Sequence, residues 1–140
     1  MRATGSSVWS GTFHEGSGSL SAGSGVVREA PYTFASRFEG APGASPEELL
    51  AAGHAGCYNH ALANILDKRG KPAGSFRTRV DVDLGTEVVS PRVLGVRITV
   101  DAEIPGLSDA EFQEYAARAG RTCAISRALA VEVTVEAALR

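Results

Sequence analysis

Ser45-Pro-Glu-Glu-Leu-Leu-Ala-Ala-Gly-His-Ala-Gly-Cys57-Tyr-Asn-His-Ala-Leu-Ala-Asn-Ile-Leu66 decides how the rest of the chain is read. Ser45 suits an N-cap, Pro46 suits the first helical position, and Glu47 and Glu48 lie beside the positive end of the dipole, with Glu48 completing a capping box. A helix is expected over about 46–68, stopped by Gly70 and Pro72. Its residues are small or apolar nearly all round, so it cannot lie on a surface with one wet face. A single sheet covers one side only, and the sequence therefore predicts that a second subunit covers the other, making a homodimer. The run approaches membrane-spanning length, but Gly53, His54, Gly56, Asn59, His60 and Asn64 make it too polar for a bilayer.

Outward from this helix, apolar residues recur at period two. Val80, Val82 and Leu84 oppose Arg79, Asp81 and Asp83; Val96, Ile98, Val100, Ala102 and Ile104 oppose Arg97, Thr99, Asp101 and Glu103; and Val131, Val133, Val135 and Ala137 oppose Glu132, Thr134 and Glu136. These read as half-buried strands over about 76–84, 93–104 and 131–139, with the wet face that an antiparallel sheet allows. Gly85 to Gly95 reads as the turn between the first two, and an N-terminal β-hairpin is expected over about 8–27. Ser108-Asp-Ala-Glu111 is a second capping box, opening a helix that reaches Gly120, and a third helical piece follows from about Thr122 to Leu129. The 140 residues, 44% of them hydrophobic, are enough for a single domain over 1–140 without disulfide staples.

Fourteen basic against 16 acidic side chains give a net charge of −2, which removes the electrostatic reason to expect nucleic acid or an anionic membrane as partner. The first residues contain no apolar signal segment, and a cytoplasmic protein is expected. In that reducing compartment two cysteines on two helices, Cys57 and Cys123, read either as a transient redox pair or as two unrelated buried thiols.

Leu50, His54, Cys57, Ala61 and Ile65 share one helical stripe, so Cys57 should face a largely apolar wall, where burial raises a thiol's pKa. It lies three turns into the helix, too far for the dipole to help, and a reactive thiolate there calls for a cation. Arg37, flanked by aromatics in Pro31-Tyr-Thr-Phe-Ala-Ser-Arg37-Phe-Glu-Gly40, is the candidate; an ion pair at about 4 Å in an effective dielectric of about 20 is worth roughly 4 kcal/mol. Glu47 could hold its guanidinium from the other side. Ten residues separate Glu47 from Cys57, about 15 Å along one helix, so a unit of Arg37 and Glu47 would have to act on the Cys57 of a partner chain. The bland alternatives are an inert packing cysteine, a helix-start charge and a solvated arginine. His54 and His60 lie about 240° apart around the helix with no carboxylate cluster, so no metal is expected. No phosphate-cradling loop or hydrolase arrangement is visible, and no cofactor is implied.

Three of these segments in order, Pro31 to Gly40, Ser45 to Cys57 and Cys123-Ala-Ile-Ser-Arg-Ala-Leu129, resemble the signatures of the OsmC/Ohr family of thiol peroxidases, and the setting of Arg37 favours the OsmC branch. The resemblance implies an α+β, OsmC-like fold: antiparallel sheets packed around central buried helices in an intertwined homodimer. By position it implies Cys57 as the peroxidatic cysteine, Cys123 as the resolving one, and Arg37 and Glu47 as the residues that activate the thiolate. The implied reaction is reduction of an organic hydroperoxide to its alcohol through a Cys57 sulfenic acid and a Cys57–Cys123 disulfide, recycled by a dithiol, of the lipoyl type in this family. A noncatalytic relative binding a hydrophobic small molecule is the alternative. Two departures stand out. Ala124 follows Cys123 where the family usually has proline, and Tyr58, Asn59 and His60 stand where it commonly has bulky apolar groups.

Overall fold

Short glycine- and serine-rich strands form the sheet of the first of two compact units, Met1–Leu49, the second being Leu50–Arg140. The computed structural model describes residues 1–140 except Ala73, Thr86, Val88 and Val89, so the middle of the expected Gly85–Gly95 turn lies outside the described residues. In the first unit β1 (Gly5–Ser10), β2 (Ser17–Ala22) and β3 (Ala30–Thr33) pair antiparallel in that order. Two elements occupy a segment that reads as loop. Strand β3 contains Pro31, tolerated because β3 is an edge paired only with β2, and α1 (Phe34–Phe38) is a single turn too short for periodicity. Its start is fixed by a capping box in which the Thr33 hydroxyl accepts from the Ser36 N–H and the Ser36 hydroxyl from the Thr33 N–H.

Helix α2 (Pro46–Lys68) begins where the Ser45 hydroxyl accepts the Glu48 N–H at 3.1 Å. In the second unit β4 (Ser75–Leu84) pairs antiparallel with β5 (Val93–Glu103), which is central. One pairing corrects the expectation of antiparallel sheets: β6 (Val133–Leu139) runs parallel to β5. A parallel neighbour needs a long crossover, and α3 (Asp109–Thr122) with α4 (Ala124–Ala128) provides it. The α3 capping box forms in full between Ser108 and Glu111.

The core of this unit joins Ile98, Val100 and Ala102 of β5 to Leu62 and Leu66 of α2 and Phe112 of α3. Its demands rotate α2 away from the expected stripe. The buried face runs through His54, Tyr58, Leu62, Ile65 and Leu66, which leaves Cys57 and Ala61 half-buried at its edge. On the side away from the core, Ala52, Gly53, Gly56, His60, Ala63 and Asn64 are exposed. Tyr58 is wholly buried and its hydroxyl donates to the Ala116 carbonyl at 3.2 Å; burial pushes its phenol well above the usual range. Its polarity is thus spent in the core. No helix among the described residues is long and apolar enough to cross a membrane.

Gly120 on α3 has no room for a side chain, because a Cβ there would come within 2.6 Å of Val135 Cγ2 on β6. Val135 is β-branched and cannot swing aside cheaply, so Gly120→Ala should destabilise the fold by about 1–3 kcal/mol, read as a lower urea midpoint at constant slope. An unchanged midpoint would contradict this account of the helix–sheet contact.

Candidate active site

Two constellations carry the chemistry-bearing residues, one in each unit. In the second, Cys123 closes α3 as its C-cap and opens α4 as its N-cap, with extended backbone (φ −56°, ψ 131°). This sharp corner brings its sulfur to the middle of α2, where the Cys123 thiol donates to Cys57 Sγ at 2.8 Å. Both cysteines are free; Cys123 is buried at 1% exposure, whereas Cys57 remains partly accessible.

Burial is the largest single effect on Cys57 and opposes its ionisation, but the Cys123 sulfhydryl and weaker N–H···S interactions from Ile125 and Ala124 outweigh it, so its pKa falls below the ordinary thiol value. Cys123 moves the opposite way. Burial raises it, and so does the bond it gives to Cys57, against smaller opposing contributions from the Ser126 N–H, the Ile125 N–H and the Ser126 hydroxyl. The pair therefore ionises at Cys57 first, and the donors that achieve this are neutral. Spacing along the chain did not reveal Ala124 and Ile125, because their part is played by backbone N–H groups rather than side chains.

The second constellation lies in the first unit. Arg37 sits on α1, and its Nε donates to both carboxylate oxygens of Glu47 at 3.2 Å while Nη2 donates to Oε1 at 2.7 Å. The fork is partly buried, with 29% of the Arg37 side chain and 13% of that of Glu47 exposed. Local bonds hold α1 in place for this. The Ser36 hydroxyl reaches the Ala44 carbonyl at 2.9 Å, the Ala44 N–H reaches the Pro31 carbonyl at 2.8 Å, and Gly43 (φ 139°) passes where a Cβ would come within 2.8 Å of Ser36. The guanidinium also lies 5.0 Å from the centre of the Phe38 ring. Together with Trp9, Phe13, Tyr32, Phe34 and Phe38, Arg37 borders a largely aromatic cavity of about 250 Å³. The sequence thus placed Arg37 among aromatics and opposite Glu47, and the structure brings those residues together, as it does Cys57 and Cys123.

A family model described as OsmC-like protein matches residues 38–138. The chain belongs to the OsmC-like family. It is 32% identical over 136 residues to Peroxiredoxin OsmC of Escherichia coli (strain K12), covering 97% of this chain and 95% of that one. It is 30% identical over 91 residues to Organic hydroperoxide resistance protein of Xanthomonas axonopodis pv. citri, covering 64% of this chain and 61% of that one. Its fold superposes on the organic hydroperoxide resistance protein OhrB of Bacillus subtilis with a TM-score of 0.71 at 23% identity, over 98% of each chain. An OsmC-like protein of unknown function from Vibrio cholerae gives a TM-score of 0.74 at 15% identity, over 98% of this chain and 99% of that one.

Within this OsmC-like framework Ala124 is the first residue of α4, a position where proline fits but would have no N–H to offer. Alanine keeps an N–H at this position, the smallest of the influences that favour the Cys57 thiolate. Cys123→Ala should therefore move the midpoint of Cys57 alkylation by iodoacetamide to higher pH, and Ala124→Pro should move it less far in the same direction. The sign follows from the thiolate being the reactive form: losing a donor raises the pKa, and reactivity at a given lower pH falls. A midpoint unmoved in both variants would remove these donors from the site.

Proposed function

We propose that this protein is a cysteine-based peroxidase that reduces organic hydroperoxides to alcohols. The observation that carries the reading is the sulfur pair: an accessible thiol of lowered pKa, 2.8 Å from a buried thiol of raised pKa. That asymmetry fits one sulfur to meet peroxide and the other to wait. The names of the relatives, peroxiredoxin OsmC and organic hydroperoxide resistance protein, support the same chemistry.

The Cys57 thiolate attacks the terminal peroxide oxygen; an S–O bond forms, the O–O bond breaks, and the alkoxide leaves and takes up a proton as alcohol. Cys57 is then a sulfenic acid. Cys123 attacks that sulfur, the S–O bond breaks, and the departing hydroxide leaves as water with the proton Cys123 gives up. The sulfurs need to approach by less than about 1 Å to reach bonding distance. A dithiol, of the lipoyl type, returns both cysteines to thiols in the cytoplasm.

Arg37 and Glu47 complete the site in this reading. Arg37, fixed by Glu47, polarises the peroxide and steadies the departing alkoxide, and the aromatic cavity beside it receives the organic group, favouring such substrates over well-hydrated hydrogen peroxide. Ten residues of α2 separate Glu47 from Cys57, about 15 Å, so the pair serves the Cys57 of a second copy in an intertwined homodimer. The exposed small residues Ala52, Gly56 and Ala63 on α2 suit close approach of that copy.

Cys57→Ser and Arg37→Ala test both halves of the proposal. Alone, the first should abolish turnover of cumene hydroperoxide with a dithiol, and the second should slow it on the order of 10²-fold. Refolded together, they should regain activity, because the hybrid dimer pairs an intact Arg37 of one copy with an intact Cys57 of the other. Activity retained by Cys57→Ser would end the peroxidase reading, and absence of recovery in the mixture would end the cross-subunit arrangement.

A further inference from the structure

His54 is a wholly buried ionisable side chain, at 0% exposure, and neither constellation uses it. It lies one helical turn before Cys57 on α2, and its Nε2 is 2.7 Å from Ser126 Oγ. Its Nδ1 has no partner. A bare ring nitrogen is cheaper to bury unpaired than an N–H, so Nε2 carries the proton and donates it to Ser126. Burial lowers the His54 pKa, which keeps the ring neutral.

Ser126 is the third residue of α4, placed by that turn over the N-cap residue Cys123. Its oxygen already accepts from His54, so its own hydrogen is directed elsewhere, and the hydroxyl favours the Cys123 thiolate. Cys123 in turn donates to Cys57 at 2.8 Å. His54 Nε2–H points to Ser126 and the Cys123 sulfhydryl to Cys57, and Ser126, three residues after Cys123 on α4, stands between the two bonds with a hydrogen free to join them into a row that reinforces itself. Ser126 also borders a cavity with Arg121 and Arg127, the charged groups on that side.

We propose that His54 is a positioning residue for the resolving step: by giving Nε2–H to Ser126 it holds the Ser126 hydroxyl as donor to Cys123, steadying the negative charge on that sulfur as it attacks Cys57. In this step the Cys57–Cys123 bond forms, the S–O bond of the Cys57 sulfenic acid breaks, and the hydroxide leaves as water with the proton from Cys123. His54 neither gains nor loses a proton overall. The inference rests on the peroxidase reading and adds to it the control of disulfide closure.

The test compares the two half-reactions in rapid-mixing experiments with cumene hydroperoxide on the reduced full chain. Ser126→Ala and His54→Leu should slow closure by about 10-fold, the worth of one lost hydrogen bond, while the first oxidation falls far less. Sulfenic acid trapped by dimedone should accumulate on Cys57. His54→Gln, which can present an amide N–H to Ser126, should restore closure. A second measurement stands apart from the peroxidase reading: in a Cys57→Ser background, ultraviolet titration of the remaining thiol should show Cys123 ionising at higher pH once Ser126→Ala or His54→Leu is added. If wild-type protein fails to consume peroxide but the Cys123 titration shifts, the peroxidase reading falls while the hold of His54 and Ser126 on the Cys123 thiol stands. If closure and the Cys123 titration are unchanged in both variants, or both half-reactions slow equally, the positioning role is overturned.

Discussion

The 2.8 Å bond from the Cys123 thiol to the Cys57 sulfur is the interaction on which the proposed chemistry depends. It divides two like groups into unlike ones. The sulfur that accepts becomes easier to ionise, and the sulfur that donates becomes harder. A corner between two helices makes this possible, since Cys123 ends α3 and begins α4, and from there its side chain reaches α2. Burial weighs against any thiolate here, and neutral donors suffice to reverse its sign at Cys57.

The charged half of the proposed site obeys another constraint. An arginine on a one-turn helix would ordinarily wander, but Arg37 is fixed by a bidentate carboxylate at the stable start of α2 and by the Phe38 ring. Beyond that ion pair the cavity it borders is lined largely by aromatic rings, which suits a peroxide carrying an organic group. In the proposed reaction Arg37 would act on the peroxide and its leaving oxygen and the neutral donors on the sulfur, which gives each reacting atom its own stabilising partner.

Much of this was legible in the chain, and the gaps have physical causes. Capping signals and period-two alternation depend on neighbours in sequence, so α2, α3 and the three C-terminal strands stood out. The parallel direction of β6 did not, because alternation is the same whichever way a strand runs. Short β3 and α1 carry too few residues for a period, whereas β1 and β2 form a hairpin where one was expected, with bounds shifted to Gly5–Ser10 and Ser17–Ala22 because serine- and glycine-rich strands show little alternation. In the site, Arg37 stood out as a cation flanked by aromatics, and Glu47 as a helix-start carboxylate able to hold it. The expectation that Cys57 would lie deep in an apolar wall differs from its half-buried position because Tyr58 and Leu62 turn the helix toward the core. His54 and Ser126 are separated by 72 positions, and only the fold makes them a pair.

The central claim, that two thiols work as an unequal redox pair, is tested most directly by the stoichiometry of a single oxidation. Reduced protein is titrated with cumene hydroperoxide without any dithiol, free thiols are counted, and non-reducing peptide mapping locates the products. The account predicts that each peroxide removes both thiols of one chain and leaves a Cys57–Cys123 disulfide within it. Thiols that persist in excess peroxide, or that disappear only into bonds between chains, would contradict it.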